Sequence, residues 1–278
     1  MMLTRAGVDY IGVTFSSSFD EHRLVPWVGD WKPAGRGNHG YEKRQISEYG
    51  ADIVSEAEDR LGKHFRIPGA AWQAMRDSDM AVEFLPQYLL QIGGKPTRID
   101  LALDMHESET SVDLLHTLTD LGQIRTRARM GKRITSTRED GFYVGSRGSD
   151  KFCRVYDKRL EQDTPTAPRW VRVELQMRKR YASLITVGYC EAPNKRNFIN
   201  RAIADYVDWP TNSDYQEAIR SQDGDLPLLH HKPPKIIRWL AAQVIPALLN
   251  YQDQNPDVDV MRLVGLMYHE AHTARKGE

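Results

Sequence analysis

Cysteine is scarce in this 278-residue chain, with Cys153 and Cys190 the only two, and neither stands in a CxxC or Cys/His spacing. That excludes a zinc module and a disulfide framework, and leaves two thiols suited to a reducing compartment. Long apolar runs are missing too: no segment approaches the roughly 18 consecutive apolar residues of a membrane span, and the start MMLTRAGVDYIGVTF has no apolar core with a small-residue cleavage site. A cytoplasmic protein with no membrane partner is expected. There is no internal repeat, no low-complexity tract and no net charge, since 38 basic residues balance 38 acidic ones.

The neutrality hides an uneven distribution. From Arg125 to Arg180 there are 16 Lys and Arg against 7 Asp and Glu, a local excess of +9, whereas Ala202–Glu278 carries −4. A basic central segment is what a polyanion selects, because Lys and Arg that neutralise phosphates release condensed counterions. With 40% hydrophobic residues the chain can bury one large core or two small ones.

Periodicity sketches the elements. DYIGVTF reads as a strand, WKPAGRGNHGY as turn-rich, and SEYGADIVSEAEDRLGKHF carries a helical pattern. RIDLALDMH alternates as a half-buried strand, and SVDLLHTLTDL is a helix behind Ser111 as N-cap. RITSTREDGFYVGS and DKFCRVYDKRLEQ flank the turn SRGS as a hairpin, and WVRVELQMRKR is a strand that runs into a helix through Tyr181 to Val187. Beyond Ala192 three apolar-striped segments, NFINRAIADYVDW, KIIRWLAAQVIPALLNYQ and DVMRLVGLMYHEAHTA, predict helices. The expected fold is α+β: an antiparallel sheet with helices on one face, a main domain over 1–190 and a helical region over 191–278 packed on it.

Side chains alternate across a strand, so each strand divides into two faces. Arg98, Asp100, Ala102 and Asp104 oppose Ile99, Leu101 and Leu103; Phe152, Arg154, Tyr156 and Lys158 oppose Cys153, Val155 and Asp157; Trp170, Arg172, Glu174 and Gln176 oppose Val171, Val173 and Leu175. If the three strands share a sheet, two aspartates, a glutamate, a tyrosine and several cations meet on its uncovered, wet face. A wet face of an antiparallel sheet is ordinarily just solvated. Carboxylates from two strands beside an arginine-flanked tyrosine also suit phosphodiester chemistry, in which oxygen ligands hold Mg²⁺ or Mn²⁺, arginines hold the phosphodiester, and the tyrosine attacks it. Tyr143, just before the turn, is a competing nucleophile.

The ordered set RIDLALD, FYVGSRGSDKFCRVYDKRLEQ and WVRVELQMRKRYA, within Pro96–Ala182, resembles the replication initiation factor family: trans-acting initiators of rolling-circle plasmids, with relatives in filamentous phages and relaxases of conjugative elements. The resemblance implies a sheet related to the HUH endonucleases and a metal-dependent enzyme that nicks and closes DNA at an origin, with the nick site single-stranded or in a hairpin. By position it implies Tyr156 as nucleophile, with Arg154 and Lys158 favouring its phenolate, and Asp100 and Glu174 as ligands of Mg²⁺ or Mn²⁺, with Asp104 a third. Ser146, Arg147, Ser149, Lys151 and Arg172 are expected to line the DNA path, and a host helicase and polymerase to act downstream. No His-hydrophobic-His pair accompanies the RIDLALD strand; His106 stands alone, in keeping with a carboxylate metal site. The competing readings are a conjugative relaxase with the same chemistry, a DNA-binding regulator without it, and a metal nuclease that uses water.

Overall fold

Among the described residues ten strands form one sheet in which every pair is antiparallel. In chain order they are β1 (Leu3–Phe15), β2 (Trp31–Pro33), β3 (Lys43–Ser47), β4 (Asp52–Ser55), β5 (Lys63–Ile67), β6 (Lys95–His106), β7 (Met130–Thr135), β8 (Asp140–Val144), β9 (Lys151–Asp157) and β10 (Trp170–Arg178). In space the order is β2-β3-β4-β5-β1-β6-β10-β9-β8-β7, so the long strands β1, β6 and β10 lie at the centre. The helices are α1 (Val25–Val28), α2 (Gly69–Asp77), α3 (Leu85–Gln91), α4 (Val112–Asp120), α5 (Lys158–Glu161), α6 (Arg180–Glu191), α7 (Lys195–Tyr206) and α8 (Ser213–Ile219). This is a computed structural model, and it describes residues 3–37, 40–56, 61–136 and 139–219 together with Tyr251 and Gln254. The chain divides into two compact units, Met1–Leu229 and His230–Glu278, and all that follows belongs to the first.

The core follows from alternation. Ile99, Leu101, Leu103 and Met105 of β6 and Val171, Val173, Leu175 and Met177 of β10 are all 1% exposed or less, and α6 and α7 pack over these two strands. Ser111 caps α4 as its sequence suggests, accepting a hydrogen bond from the Leu114 amide at 3.1 Å. At the far end of the sheet Tyr206 of α7 donates to the carbonyls of Val144 and Lys151 and so fastens the β8–β9 hairpin. Gly145 sits there at φ +93°, and a Cβ would meet the Tyr206 hydroxyl at 2.5 Å, so this corner needs glycine.

Two expectations require correction. The described residues of SEYGADIVSEAEDRLGKHF form no helix: Ile53 and Val54 in β4 pair with Phe65 and His64 in β5, so β-branched residues with a partner strand override the helical spacing. RITSTREDGFYVGS divides into β7 and β8, a second hairpin. The helices α2 and α3 went unforeseen. NFINRAIADYVDW does form α7, whereas KIIRWLAAQVIPALLNYQ and DVMRLVGLMYHEAHTA lie outside the described residues save Tyr251. Among the described residues no helix is long and apolar enough to cross a membrane.

Asp214 ties α8 to the segment after β6. Its Oδ2 accepts from the Ser108 hydroxyl at 2.6 Å and the Glu109 amide at 2.7 Å, and these bonds, Ser108 first, hold its pKa below the ordinary carboxylate value. Asp214→Asn is expected to cost about 1–2 kcal/mol at neutral pH. A depressed carboxyl pKa contributes stability above its unfolded value and loses it as pH falls through the folded one. Denaturant midpoints of parent and variant should therefore differ at pH 7 and converge in strong acid.

Candidate active site

Strand register brings the predicted residues onto one face of the central sheet. Arg172 stands opposite Asp104 on one side and Tyr156 on the other, and Gln176 stands opposite Asp100. Glu174 lies opposite Ala102 and Arg154, and Arg154 lies opposite Tyr143. The face is lined by paired aromatics and cations: the Arg154 guanidinium lies 3.6 Å from the Tyr156 ring centre, Arg98 4.1 Å from Tyr10, and Arg147 5.3 Å from Tyr143.

Tyr156 is the hub. Its hydroxyl donates to Glu174 Oε2 at 2.9 Å. Glu161 of α5 reaches over it, 3.5 Å from the same hydroxyl, 3.1 Å from an Arg154 nitrogen, and hydrogen-bonded to the Lys158 ammonium. Arg154, Lys158 and Tyr156 thus form a small anion site that the Glu161 carboxylate occupies. Burial and its two cationic partners act in opposite directions on Glu161; the cations prevail, and its pKa is lowered.

The face is not wet at the carboxylates, as the sequence suggested. Asp100, Asp104, Glu174 and Tyr156 are 1, 4, 8 and 2% exposed, because long arginine side chains lie over them. Asp100 is held by the Arg98 guanidinium and, at 3.1 Å, by the Gln176 amide. Asp104 accepts from Arg172 at 2.6 and 2.8 Å and from the Trp170 indole at 2.7 Å. Against the larger effects of burial and Glu174, Arg154 acts on Tyr156 in the expected direction, toward the phenolate. Burial and then Glu174 push the Tyr156 pKa far above its ordinary value, outweighing Arg172 and Arg154. Tyr156 is held as a phenol.

The expected DNA-path residues scatter. Ser146 and Arg147 are exposed in the β8–β9 turn, Ser149 is half-buried there, and Ser149 and Gly148 fold back on Ser146. Lys151 belongs to the opposite face: it pairs with Met177, and its ammonium lies 4.4 Å from the Tyr181 ring and 5.8 Å from that of Tyr206. Arg172 is buried in ion pairs with Asp104 and, at 2.6 Å, with Asp9.

Asp9 and Glu161 were missed by sequence reasoning. Asp9 is the extra residue of a bulge between Val8 and Tyr10 in β1, which turns its carboxylate toward this face. A Cβ on Gly69 would lie 2.9 Å from that carboxylate, so glycine lets α2 begin against it. Burial first, then the charges of Asp100 and Asp9, push the Glu174 pKa up to about 7, and Asp100 is raised chiefly by burial. Crowded, desolvated carboxylates of this kind offer the hard oxygen donors that Mg²⁺ and Mn²⁺ take. Among the described residues no group of three or more His, Cys, Asp or Glu is placed to hold a metal ion, so these carboxylates as they stand do not make a three-donor site.

The profile of the family described as replication initiation factor matches residues 94–255. No curated protein matches the sequence. Among solved structures, the rolling circle replication initiator protein from Geobacillus stearothermophilus is similar, with a TM-score of 0.62 at 16% identity over 86% of this chain and 96% of that one. At that identity the likeness is one of fold: a large antiparallel sheet with helices.

Proposed function

Because the chain belongs to the replication initiation factor family, we propose that it initiates rolling-circle replication by nicking and rejoining one strand of origin DNA, with Tyr156 as nucleophile. The observation that carries this reading is the Tyr156 hydroxyl, hydrogen-bonded to Glu174 and overlaid by an anion site of Arg154 and Lys158. A scissile phosphate entering that site displaces the Glu161 carboxylate and meets the hydroxyl. The phenol oxygen bonds to phosphorus, its proton passes to Glu174 Oε2, and the bond to the 3′ oxygen breaks. The products are a 5′-phosphotyrosine and, once the leaving oxygen takes a proton, a free 3′-OH that a host polymerase extends behind a helicase. Attack by a 3′-OH on the phosphotyrosine reverses the step and rejoins the strand. Arg154 and Lys158 neutralise the phosphate oxygens as charge builds. Asp100 and Glu174 would hold Mg²⁺ or Mn²⁺ once Arg98 and Gln176 give up Asp100, with Asp104, bound by Arg172 and Trp170, a third on the same condition. The ion when bound adds Lewis-acid polarisation of the phosphodiester.

Incubation with a supercoiled plasmid bearing the replicon's origin, in Mg²⁺ or Mn²⁺, tests the reading. Open circles with protein covalently on the 5′ end are the expected result. Retarded but uncut DNA would favour the regulator, and open circles without adduct a water-using nuclease. A conjugative relaxase would give the same adduct, at a transfer origin. Asp100→Asn should weaken Mn²⁺ binding in calorimetry as well as cleavage; unchanged affinity would remove Asp100 from the ligand set.

Glu161→Gln should tighten single-stranded DNA binding about two- to fivefold, the scale of one partly exposed ion pair. Fluorescence anisotropy at fixed salt measures this, and unchanged affinity would mean the phosphate binds elsewhere.

A further inference from the structure

Beside the tyrosine, on the same face, lies a cleft of about 440 Å³, within the ~300–1,000 Å³ usual for small-ligand sites. It exists because the row across the sheet holds small residues: Gly7 of β1 stands opposite Ala102 of β6, and beyond Gly7 there is open space where a Cβ would project. One wall is aromatic. Trp170 and His106 stand opposite each other on β10 and β6, with ring centres 4.6 Å apart. Arg5, Arg76 and Lys158 also line the cleft, together with Asp77 and with Asp9 and Asp104, whose charges Arg172 balances, and Lys158 also touches the anion site over Tyr156.

Arg76 gives the cleft an unmet demand. Its Nε is buried and has no hydrogen-bond partner, which is unfavourable for a buried donor. Burial, and next to it the charge of Arg5, also lower its pKa. Arg154, over the tyrosine, has the same orphan Nε. An anion entering the cleft would satisfy that donor at Arg76; at Arg154 the Glu161 carboxylate, 3.1 Å from a terminal nitrogen, and that of Glu139, 4.0 Å from Nε, already stand in such a place. A second cleft of about 280 Å³ shares Arg5, Gly7 and Arg76 and continues toward Lys195 and Arg196, which gives a chain of phosphates room to run on.

We propose that this cleft is a nucleotide subsite: it takes one unpaired nucleotide next to the scissile phosphate, its base against Trp170 and His106 and its phosphate on Arg76 and Arg5. The proposal rests on the nicking reading and deepens it, since it makes the substrate single-stranded at that step: a base within a duplex presents no free face to Trp170. Aromatic stacking is tolerant of base identity, whereas the arginines read only phosphate.

The test uses a short oligodeoxythymidylate carrying one 5-iododeoxyuridine, cross-linked by light to the full chain and mapped by mass spectrometry. The label should join the peptide that contains Trp170 or His106. Trp170→Leu should weaken binding of the unlabelled oligonucleotide about tenfold and Trp170→Phe much less, while Arg76→Gln should lower the salt slope of log K by about 0.7. Cross-links confined to other peptides, or parental affinity and slope in both Trp170→Leu and Arg76→Gln, would overturn it. If Trp170→Leu fails to fold, the mapping on the parent chain decides. A parent that nicks origin plasmid while cross-linking elsewhere would refute the subsite and keep the nicking reading; a cross-link at Trp170 without any nicking or adduct would do the reverse.

Discussion

Tyr156→Phe should abolish the covalent adduct and lower nicking by a factor on the order of 10³ or more, because the attacking oxygen itself is removed. The ring, its stacking under Arg154 and its burial remain, so oligonucleotide affinity should change little. Stability should shift only modestly. The lost hydroxyl leaves Glu174 Oε2 without its donor, an expense of about 1–3 kcal/mol if Glu174 stays charged. Glu174 is already raised to about 7, so in the variant it takes up a proton more readily and avoids part of that expense. Denaturation in chelator, with parent and variant side by side, measures this directly. Full nicking by Tyr156→Phe would transfer the nucleophile's role, with Tyr143 next: its ring is on the same face, but its pKa too is raised by burial, and its hydroxyl points to Glu139 at 3.4 Å rather than to Glu174.

The strands that build this site were legible because alternation is a local property. RIDLALD, FCRVYDK and WVRVELQ each sort into an apolar and a charged face, and the register fulfils that sorting at Asp100, Asp104, Tyr156, Arg172 and Glu174. What lies above a face is not local. Nothing within β6 tells that Arg172 of β10 folds over Asp104, nor within β9 that Glu161, five residues on, returns over Tyr156. Burial of the carboxylates, and with it the direction of the Tyr156 pKa, was therefore out of reach. Asp9 was hidden for another reason: strict alternation would put it on the same face as Ile11 and Val13, and only the bulge reverses it. Lys151 was misplaced by the opposite error, since alternation through Cys153 and Val155 already puts it on the core side, and its charge drew it into the DNA path instead. The pattern in 47–65 failed because a short segment with Ile53 and Val54 beside acidic and alanine residues suits either state, and pairing with β5 decides.

Arg172→Ala should be the most destabilising single change on this face. The guanidinium is 8% exposed and holds Asp104 through two hydrogen bonds and Asp9 through a third, tying β10 to β6 and to the bulge of β1. Removing it leaves two carboxylates desolvated with no cation between them, and breaking a buried charge network from one side costs about 3–5 kcal/mol. The same comparison identifies what Arg172 does. If it served chiefly as a phosphate contact, Arg172→Ala would leave the unfolding midpoint near that of the parent and lower the salt slope of DNA binding by about 0.7 to 0.9. If it is the strut that the ion pairs describe, the midpoint falls steeply and the slope of whatever protein remains folded is unchanged. A triple variant, Asp9→Asn with Arg172→Met and Asp104→Asn, removes the charges together; it should recover most of the stability lost by Arg172→Ala, because the penalty lies in the orphaned carboxylates rather than in the missing attraction. Failure of the triple variant to recover would mean that the guanidinium's packing against Trp170, 5.8 Å away, carries more of the stability than its charge.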